Sequence, residues 1–465
     1  MNKMKWIVAA LTSVFCLNSL GQQVLPPERP NVLILLADDL GLGEVGAYGQ
    51  KIIKTPNIDA LAKKGLRFTN FYAGCAVCSP SRAVMMTGIH VGRLSIRGNK
   101  GLLETGEQDR VPLQKSEMTL GEMLKNTGYQ TAFIGKWHLG IPTDLSTWAY
   151  NRGFDYSVQE QWGPKPEGGN FDERVQWVNN RDDSIFYDYT KYDCLDVFRT
   201  DLALKFLEKQ RDSTKPLFLF MSYRSPHAHE YNIRETKRYA DQGWPEIERR
   251  HASRINMLDE QIQRLLDKLS EMNELDNTLI LFTSDNGPHK EGGHDPYFFD
   301  SSGGLRGCKR DLYEGGVRVP FIACWKGKIP AGKTTDYPGI FYGIMPTLAE
   351  VTGVQIPIQT DGISFLPELL GKEQPARSSL YWEIQLVSGE AKDFRQAALM
   401  DRWKVTRYGA EGNTELYDLS CDPYETKDVA GSYPEVLEKM DLILMNNSIK
   451  TPHYPHARKS FSSQP

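Results

Sequence analysis

The chain has 465 residues, 40% of them hydrophobic and 25% charged, with a formal net charge of −4. That is ordinary globular composition, with enough apolar residue to bury at least one large core. Lys and Arg are scattered along it, which argues against a basic face for nucleic acid while leaving room for a local basic pocket.

In chain order, "MNKMKWIVAALTSVFCLNSLGQQ" sets Lys3 and Lys5 before an apolar run and follows it with the small residues Ser19 and Gly21. Residues 1–21 read as a secretory signal, so the protein is expected to be exported, periplasmic or secreted. Cys16 as a lipid-attachment cysteine is the lesser reading, because Ser13 stands where such signals usually carry Leu. No other segment approaches the roughly 18 apolar residues of a membrane span.

"NVLILLADD" (31–39) is an apolar run ending in two carboxylates, and "NTLILFTSDNG" (277–287) repeats that grammar. "GYQTAFIGKWHLG" (128–140), "PLFLFMSYRSPH" (216–227) and "VRVPFIACW" (317–325) are three further candidate strands. Runs without polar alternation suit strands buried on both faces. Between them, Thr119 and Glu122 form a capping box, and residues 244–272 have helical periodicity. Alternating strand and helix predicts a doubly wound, mainly parallel α/β sheet over residues 22–370. From 371 to 465, short strands and the amphipathic "PEVLEKMDLILMNN" predict a small α+β C-terminal subdomain.

Polar residues follow the strand ends: Asp38 and Asp39, Lys136 and His138, His227, Asp285 and Asn286. Ligands of open α/β sheets bind at that edge. Asp38, Asp39, Asp285 and Asn286 make an all-oxygen set suited to Ca²⁺ or Mg²⁺.

The stretch "GCAVCSPSR" (74–82) has neither the second cysteine pair of a zinc ribbon nor the context of a redox CxxC. Seven cysteines are present, and losing Cys16 with the signal leaves an even set that would permit three disulfides in an exported protein. Consuming Cys78 chemically would make the remainder odd.

Cys78-Ser79-Pro80-Ser81-Arg82 is similar to the Cys-x-Pro-x-Arg signature of the formylglycine-dependent type I sulfatases, members of the alkaline phosphatase superfamily. The resemblance extends in order through "NVLILLADDLGLGEVGAYG", "GKWHLG", "SPHAH", "FTSDNG", "LRGCKRDLYEGGVRVP" and "TELYDLSCDPYETKDVA". It implies an alkaline-phosphatase-like fold, and that Cys78, rather than Cys75, is oxidised to formylglycine by a formylglycine-generating or anaerobic sulfatase-maturing enzyme. It further implies that Asp38, Asp39, Asp285, Asn286 and the modified Cys78 bind Ca²⁺. Arg82, Lys136 and Lys309 would surround the sulfate, His138 would hold and deprotonate the formylglycine hydrate, and His227 would face the leaving-group oxygen. Cys308 and Arg310 stand where many members carry glycine, which bears on substrate fit. Trp162, His294 and Arg310 are candidates for the substrate subsite, whereas His229 and His289 stay outside the chemistry.

A geminal diol suits sulfate-ester hydrolysis: one hydroxyl attacks sulfur, and deprotonating the other expels sulfate and restores the aldehyde. A divalent cation with Arg and Lys donors stabilises the charge that develops. The expected substrate is a sulfated carbohydrate, with galactose or N-acetylgalactosamine sulfates favoured. The rivals are a phosphonate or phosphate ester hydrolase on the same scaffold and a non-catalytic glycan-binding protein.

Overall fold

The structure is a computed structural model, describing residues 29–456 apart from 162–164, 166–168, 171, 173, 181–182, 229–236, 356–359 and 387–390. The signal reading over 1–21, Trp162 and His229 lie outside the described residues. No helix among the described residues is long and apolar enough to cross a membrane.

Asn31–Asp38 is the central strand of a ten-stranded sheet, and all eight of its residues are buried. It pairs in parallel with Leu217–Pro226 on one side and Thr278–Ser284 on the other. Gln130–Gly135 and Tyr156–Glu160 extend the parallel block. The period-2 pleat sends Val32, Ile34 and Leu36 into one core, with Val84 and Met85 of the helix Cys78–Thr87. Leu33, Leu35 and Ala37 enter a second core beneath the helices Leu195–Lys209 and Glu246–Glu271. Burial on both faces explains the unbroken apolar runs.

The margins depart from the parallel pattern. Phe321–Cys324 runs antiparallel to Thr278–Ser284, and Val175–Val178 and Ser184–Phe186 close the other edge as antiparallel strands. The expected strand at 317–325 starts only at Phe321, because Glu314–Val317 forms a helical turn and Pro320 has no N–H for the ladder. The sheet is therefore mixed and mainly parallel.

Beyond it, Leu380–Gln385, Phe394–Met400, Trp403–Tyr408 and Thr414–Asp418 form an antiparallel meander. Met440 and Leu444 of the helix Pro434–Asn446 pack on its Val405 and Leu416. The buried Lys404 ammonium ties this sheet to the main body, 2.7 Å from Glu314 and 3.1 Å from Glu425.

Thr119 caps the helix Leu120–Lys125 as its sequence predicts: Oγ1 accepts from the Glu122 N–H at 3.1 Å, and Glu122 Oε2 accepts from the Thr119 N–H at 2.8 Å. Thr119→Ala removes that acceptor and should lower stability by about 1–2 kcal/mol. A urea titration checks this; an unchanged midpoint would mean the cap contributes nothing.

Candidate active site

The carboxyl ends of the parallel strands converge on one buried cluster. Asp38 ends its strand, and Asp39 follows in a left-handed conformation, φ 66°, which breaks the pleat. A regular strand would point the two carboxylates to opposite faces; this turn brings both to one site. The Asp39 N–H donates to Asp285 Oδ1 at 3.0 Å, locking the two strand ends together. Asn286 Nδ2 donates to Asp39 Oδ1 at 2.7 Å.

Cys78 is the first residue of its helix, with Val77 as the extended N-cap. Its Sγ lies 3.6 Å from Asp38 Oδ1 and 3.9 Å from Asp39 Oδ1. Burial pushes the thiol well above its ordinary range, against the opposing pull of Lys136 and Lys309. One turn on, Arg82 points back into the cluster: its Nε donates to Asp285 Oδ2 at 2.9 Å, and Nη2 stands 2.7 Å from Asp285 Oδ2 and 3.5 Å from Asp38 Oδ1. Lys136 Nζ donates to Asp38 Oδ2 at 2.6 Å, and Lys309 Nζ to Asp39 Oδ2 at 2.8 Å.

Burial works to raise the Asp38 carboxyl, but Lys136, His227, Arg82 and Lys309 hold it well below the usual carboxylate range. Asp39 is likewise lowered, chiefly by Lys309 against its burial. Asp285 goes the other way: burial raises it to about 6 despite Arg82. It is the least compensated carboxylate of the three.

A metal fits this donor set. Single ligand atoms of Asp38, Asp39, Cys78 and Asp285 lie within 4.8 Å of one another. Asn286 Oδ1 beside them is buried and has no hydrogen-bond partner among the described residues. An unsatisfied buried oxygen costs about 1–3 kcal/mol unless something ligates it, and a hard cation on oxygen ligands supplies that partner.

His138 is also left-handed, φ 59°, and its carbonyl accepts from Ser79 Oγ at 2.7 Å, which ties its loop to the start of the Cys78 helix. Burial, Lys136, Arg110 and Arg82 keep its imidazole well below the ordinary value. His227 follows its strand in a turn fixed from below by Asp196, whose carboxylate accepts from the N–H groups of Arg224 and Ser225 at 2.8 Å each. Its Nδ1 is 2.6 Å from the Ala228 carbonyl. A carbonyl only accepts, so Nδ1 carries the proton and Nε2 is left facing the pocket. Burial and Lys136 bring His227 down to about 3.

The expected catalytic set (Cys78, Arg82, Lys136, His138, His227 and Lys309) and the expected metal set, which shares Cys78 with it, thus lie together at the carboxyl ends of the parallel strands and the start of the Cys78 helix. The subsite candidates divide. Arg310 is at the mouth with its side chain 40% exposed, paired with Glu291. His294 is 3% exposed, 2.7 Å from Glu248 through Nδ1, and stacked on His251 with ring centroids 3.7 Å apart at 11°. It is a framework residue, not a subsite residue. The Glu44, His251 and His294 trio offers metal-type ligands, but parallel stacked rings direct their lone pairs side by side instead of onto one point, and Glu44 already accepts from Ser301 Oγ and the Gly41 N–H.

Sequence reasoning passed over Glu291, whose Oε2 accepts from Lys309 Nζ at 3.0 Å, and Arg110 beside His138. The only trace of Glu291 was the charged, histidine-flanked stretch "HKEGGH". His289, expected to stay outside the chemistry, is buried and bridges two loops, with Nε2 3.1 Å from the Pro226 carbonyl.

A family model described as Sulfatase matches residues 30–354, and one described as N-sulphoglucosamine sulphohydrolase, C-terminal, matches 307–450. The chain belongs to the sulfatase family. An arylsulfatase of Hemicentrotus pulcherrimus is 32% identical to this sulfatase over 88% of the chain and 72% of its own length. Arylsulfatase A of Homo sapiens is 31% identical over 88% and 86%, and an N-acetylgalactosamine-6-O-sulfatase of Bacteroides thetaiotaomicron 28% over 91% and 94%. Among solved structures, Ps i-CgsB in complex with k-i-k-neocarrahexaose superposes with a TM-score of 0.75 at 25% identity, covering 89% of this chain and 91% of that one. The protein is a sulfuric ester hydrolase of type I, on the alkaline-phosphatase-like fold.

The disulfides that six cysteines would permit are not formed. Cys75, Cys78, Cys194, Cys308, Cys324 and Cys421 are all free, and all but Cys421 are buried. A core this large has no need of staples. Ellman's reagent should therefore label Cys421 within minutes in the native protein and the buried thiols only on unfolding. A native preparation with no titratable thiol even after unfolding would contradict this assignment.

Proposed function

We propose that this sulfatase is an exported, calcium-dependent enzyme that removes sulfate from carbohydrates through a formylglycine hydrate made from Cys78 by a maturation enzyme. The observation that carries this reading is the placement of Cys78 Sγ against Asp38 and Asp39, inside a buried ring of Arg82, Lys136 and Lys309. The carbohydrate class is supported by the relatives, whose names include N-acetylgalactosamine-6-sulfatases, and by the neocarrahexaose complex. Galactose or N-acetylgalactosamine sulfates are the proposed substrates. Residues 22–370 are proposed as the catalytic domain and 371–465 as the C-terminal subdomain.

In this reading Asp38, Asp39, Asp285 and Asn286, with residue 78, hold Ca²⁺, which when bound supplies positive charge against the sulfate oxygens. Arg82, Lys136 and Lys309 orient the sulfate by charge-assisted hydrogen bonds. His138 takes the proton from a hydroxyl of the hydrate at position 78. His227 presents Nε2 to the leaving-group oxygen. Before substrate arrives that nitrogen is unprotonated, and the negative charge of an arriving sulfate ester favours the imidazolium that donates from it.

Free-sulfate release from a panel of defined sulfated mono- and disaccharides tests the assignment, using protein of known formylglycine content. Turnover of a galactose-type sulfate with none from the matching phosphates or phosphonates is expected; the reverse preference would favour the ester-hydrolase rival. Asp38→Ala and Asp285→Ala should each lose bound calcium and activity together. Retention of stoichiometric calcium in both would remove those residues from the metal site.

Proton donation to a poor leaving group is worth about 10²- to 10⁴-fold. His227→Ala should accordingly lower kcat on a sugar sulfate by that order and on an activated aryl sulfate much less. Equal losses on the two substrates would make His227 a sulfate-binding group instead.

A further inference from the structure

Glu291 belongs to none of the motifs through which the site was read, yet it meets three of the site's groups. Its Oε2 accepts from Lys309 Nζ at 3.0 Å and lies 3.8 Å from His227 Nε2, while its Oε1 accepts from Arg310. The Glu291 backbone is itself held from behind. Its N–H donates to His289 Nδ1 at 3.1 Å, so His289 is the Nε2–H tautomer, and Nε2 donates to the Pro226 carbonyl just before His227.

The Arg310 end is fixed as well. Its N–H donates to the Ala76 carbonyl at 2.7 Å, two residues before Cys78, its backbone is left-handed at φ 78°, and its carbonyl accepts from Arg395 Nη1 at 2.8 Å. Glu291 therefore sits where the loops bearing His227, Cys78 and Lys309 are pinned to one another.

The chemistry of the lysine makes this placement consequential. An ammonium has three N–H donors; Asp39 and Glu291 receive two of them from the buried Lys309, and among the described residues the third remains for a ligand. One anchor would let the ammonium rotate and shift, whereas two fix the direction of the third N–H. Asp39 also belongs to the metal set, while Glu291 serves the lysine without being part of it. Ligand atoms of Asp39, His227 and Glu291 are close enough to invite a second metal, but the Lys309 ammonium, at 2.8 and 3.0 Å from the two carboxylates, already sits between them.

We propose that Glu291 is a positioning residue that, with Asp39, aims the Lys309 ammonium at the substrate sulfate and acts on turnover through Lys309. The proposal rests on the sulfate-pocket reading above. Burial works to raise the Glu291 carboxyl, but Lys309 and Arg310 bring it down to about 2, in keeping with an anion held between two cations.

A double-mutant cycle on the full chain tests it, with Glu291→Ala, Lys309→Ala and the double variant assayed on one sugar sulfate at high enzyme concentration and matched formylglycine and calcium content. Glu291→Gln, which keeps the shape and removes the charge, serves as the control for folding, together with thermal midpoints. Glu291→Ala should reduce kcat/KM by about ten- to hundredfold, the order expected for losing a charge-assisted contact. In the Lys309→Ala background the same change should cost less than about twofold, because the group it positions is gone. Losses that multiply in the double variant would show that Glu291 acts independently of Lys309 and would overturn the proposal. So would a fully active Glu291→Gln alongside a crippled Lys309→Ala. Full activity in Lys309→Ala would sink the sulfate-pocket reading itself, and this proposal with it.

Discussion

Three carboxylates with no solvent exposure, Asp38, Asp39 and Asp285, stand together at the ends of two neighbouring strands, and everything else in the site answers to that fact. Carboxylates this close repel one another strongly away from water, and would protonate or force the site open if nothing balanced them. Arg82 spans Asp38 and Asp285, Lys136 meets Asp38, and Lys309 meets Asp39. At the mouth, Glu291 and Arg310 add one further charge of each sign. The protein alone is thus close to neutral at this point, so a bound divalent cation leaves the pocket with surplus positive charge. That surplus is what an anionic sulfate ester requires, and the raised Asp285 and unpartnered Asn286 Oδ1 are the groups that gain most from the cation.

Holding such a cluster in place takes a rigid frame. The central strand is buried over its whole length between two apolar cores, which fixes Asp38 to the sheet. Asp39, His138 and Arg310 all adopt left-handed backbone conformations that cost non-glycine residues energy, and each is tied down by a hydrogen bond to a neighbouring site loop. The C-terminal sheet takes part too, since Arg395 grips the Arg310 carbonyl and Asp311 from outside.

Much of this was legible in the sequence, because its signals are local. Apolar runs ending in Asp38-Asp39 and Asp285-Asn286 announced buried strands with clustered carboxylates at their ends, Thr119 and Glu122 announced a helix start, and the Cys78 signature announced the sulfatase family. What escaped depends on contacts distant in sequence. Glu291 is bound to Asp39 only through Lys309, and no spacing rule links the three. His294, a subsite candidate from the sequence, turns inward to Glu248 on a helix. The even cysteine set would permit disulfides, but five of those side chains are distributed through the interior as small hydrophobes and the sixth is at the surface. The antiparallel sense of Phe321–Cys324 is likewise a matter of topology that an apolar run does not encode.

In the proposed mechanism, chemistry begins at position 78. Preparations of the same protein, matured to different extents, can be scored by mass spectrometry for the cysteine-to-aldehyde mass loss in the peptide containing Cys78 and assayed for sulfate release in parallel. Turnover per chain should rise in proportion to the modified fraction and extrapolate to zero where no chain is modified. A rate on sugar sulfates independent of that fraction would rule out residue 78 as the nucleophile.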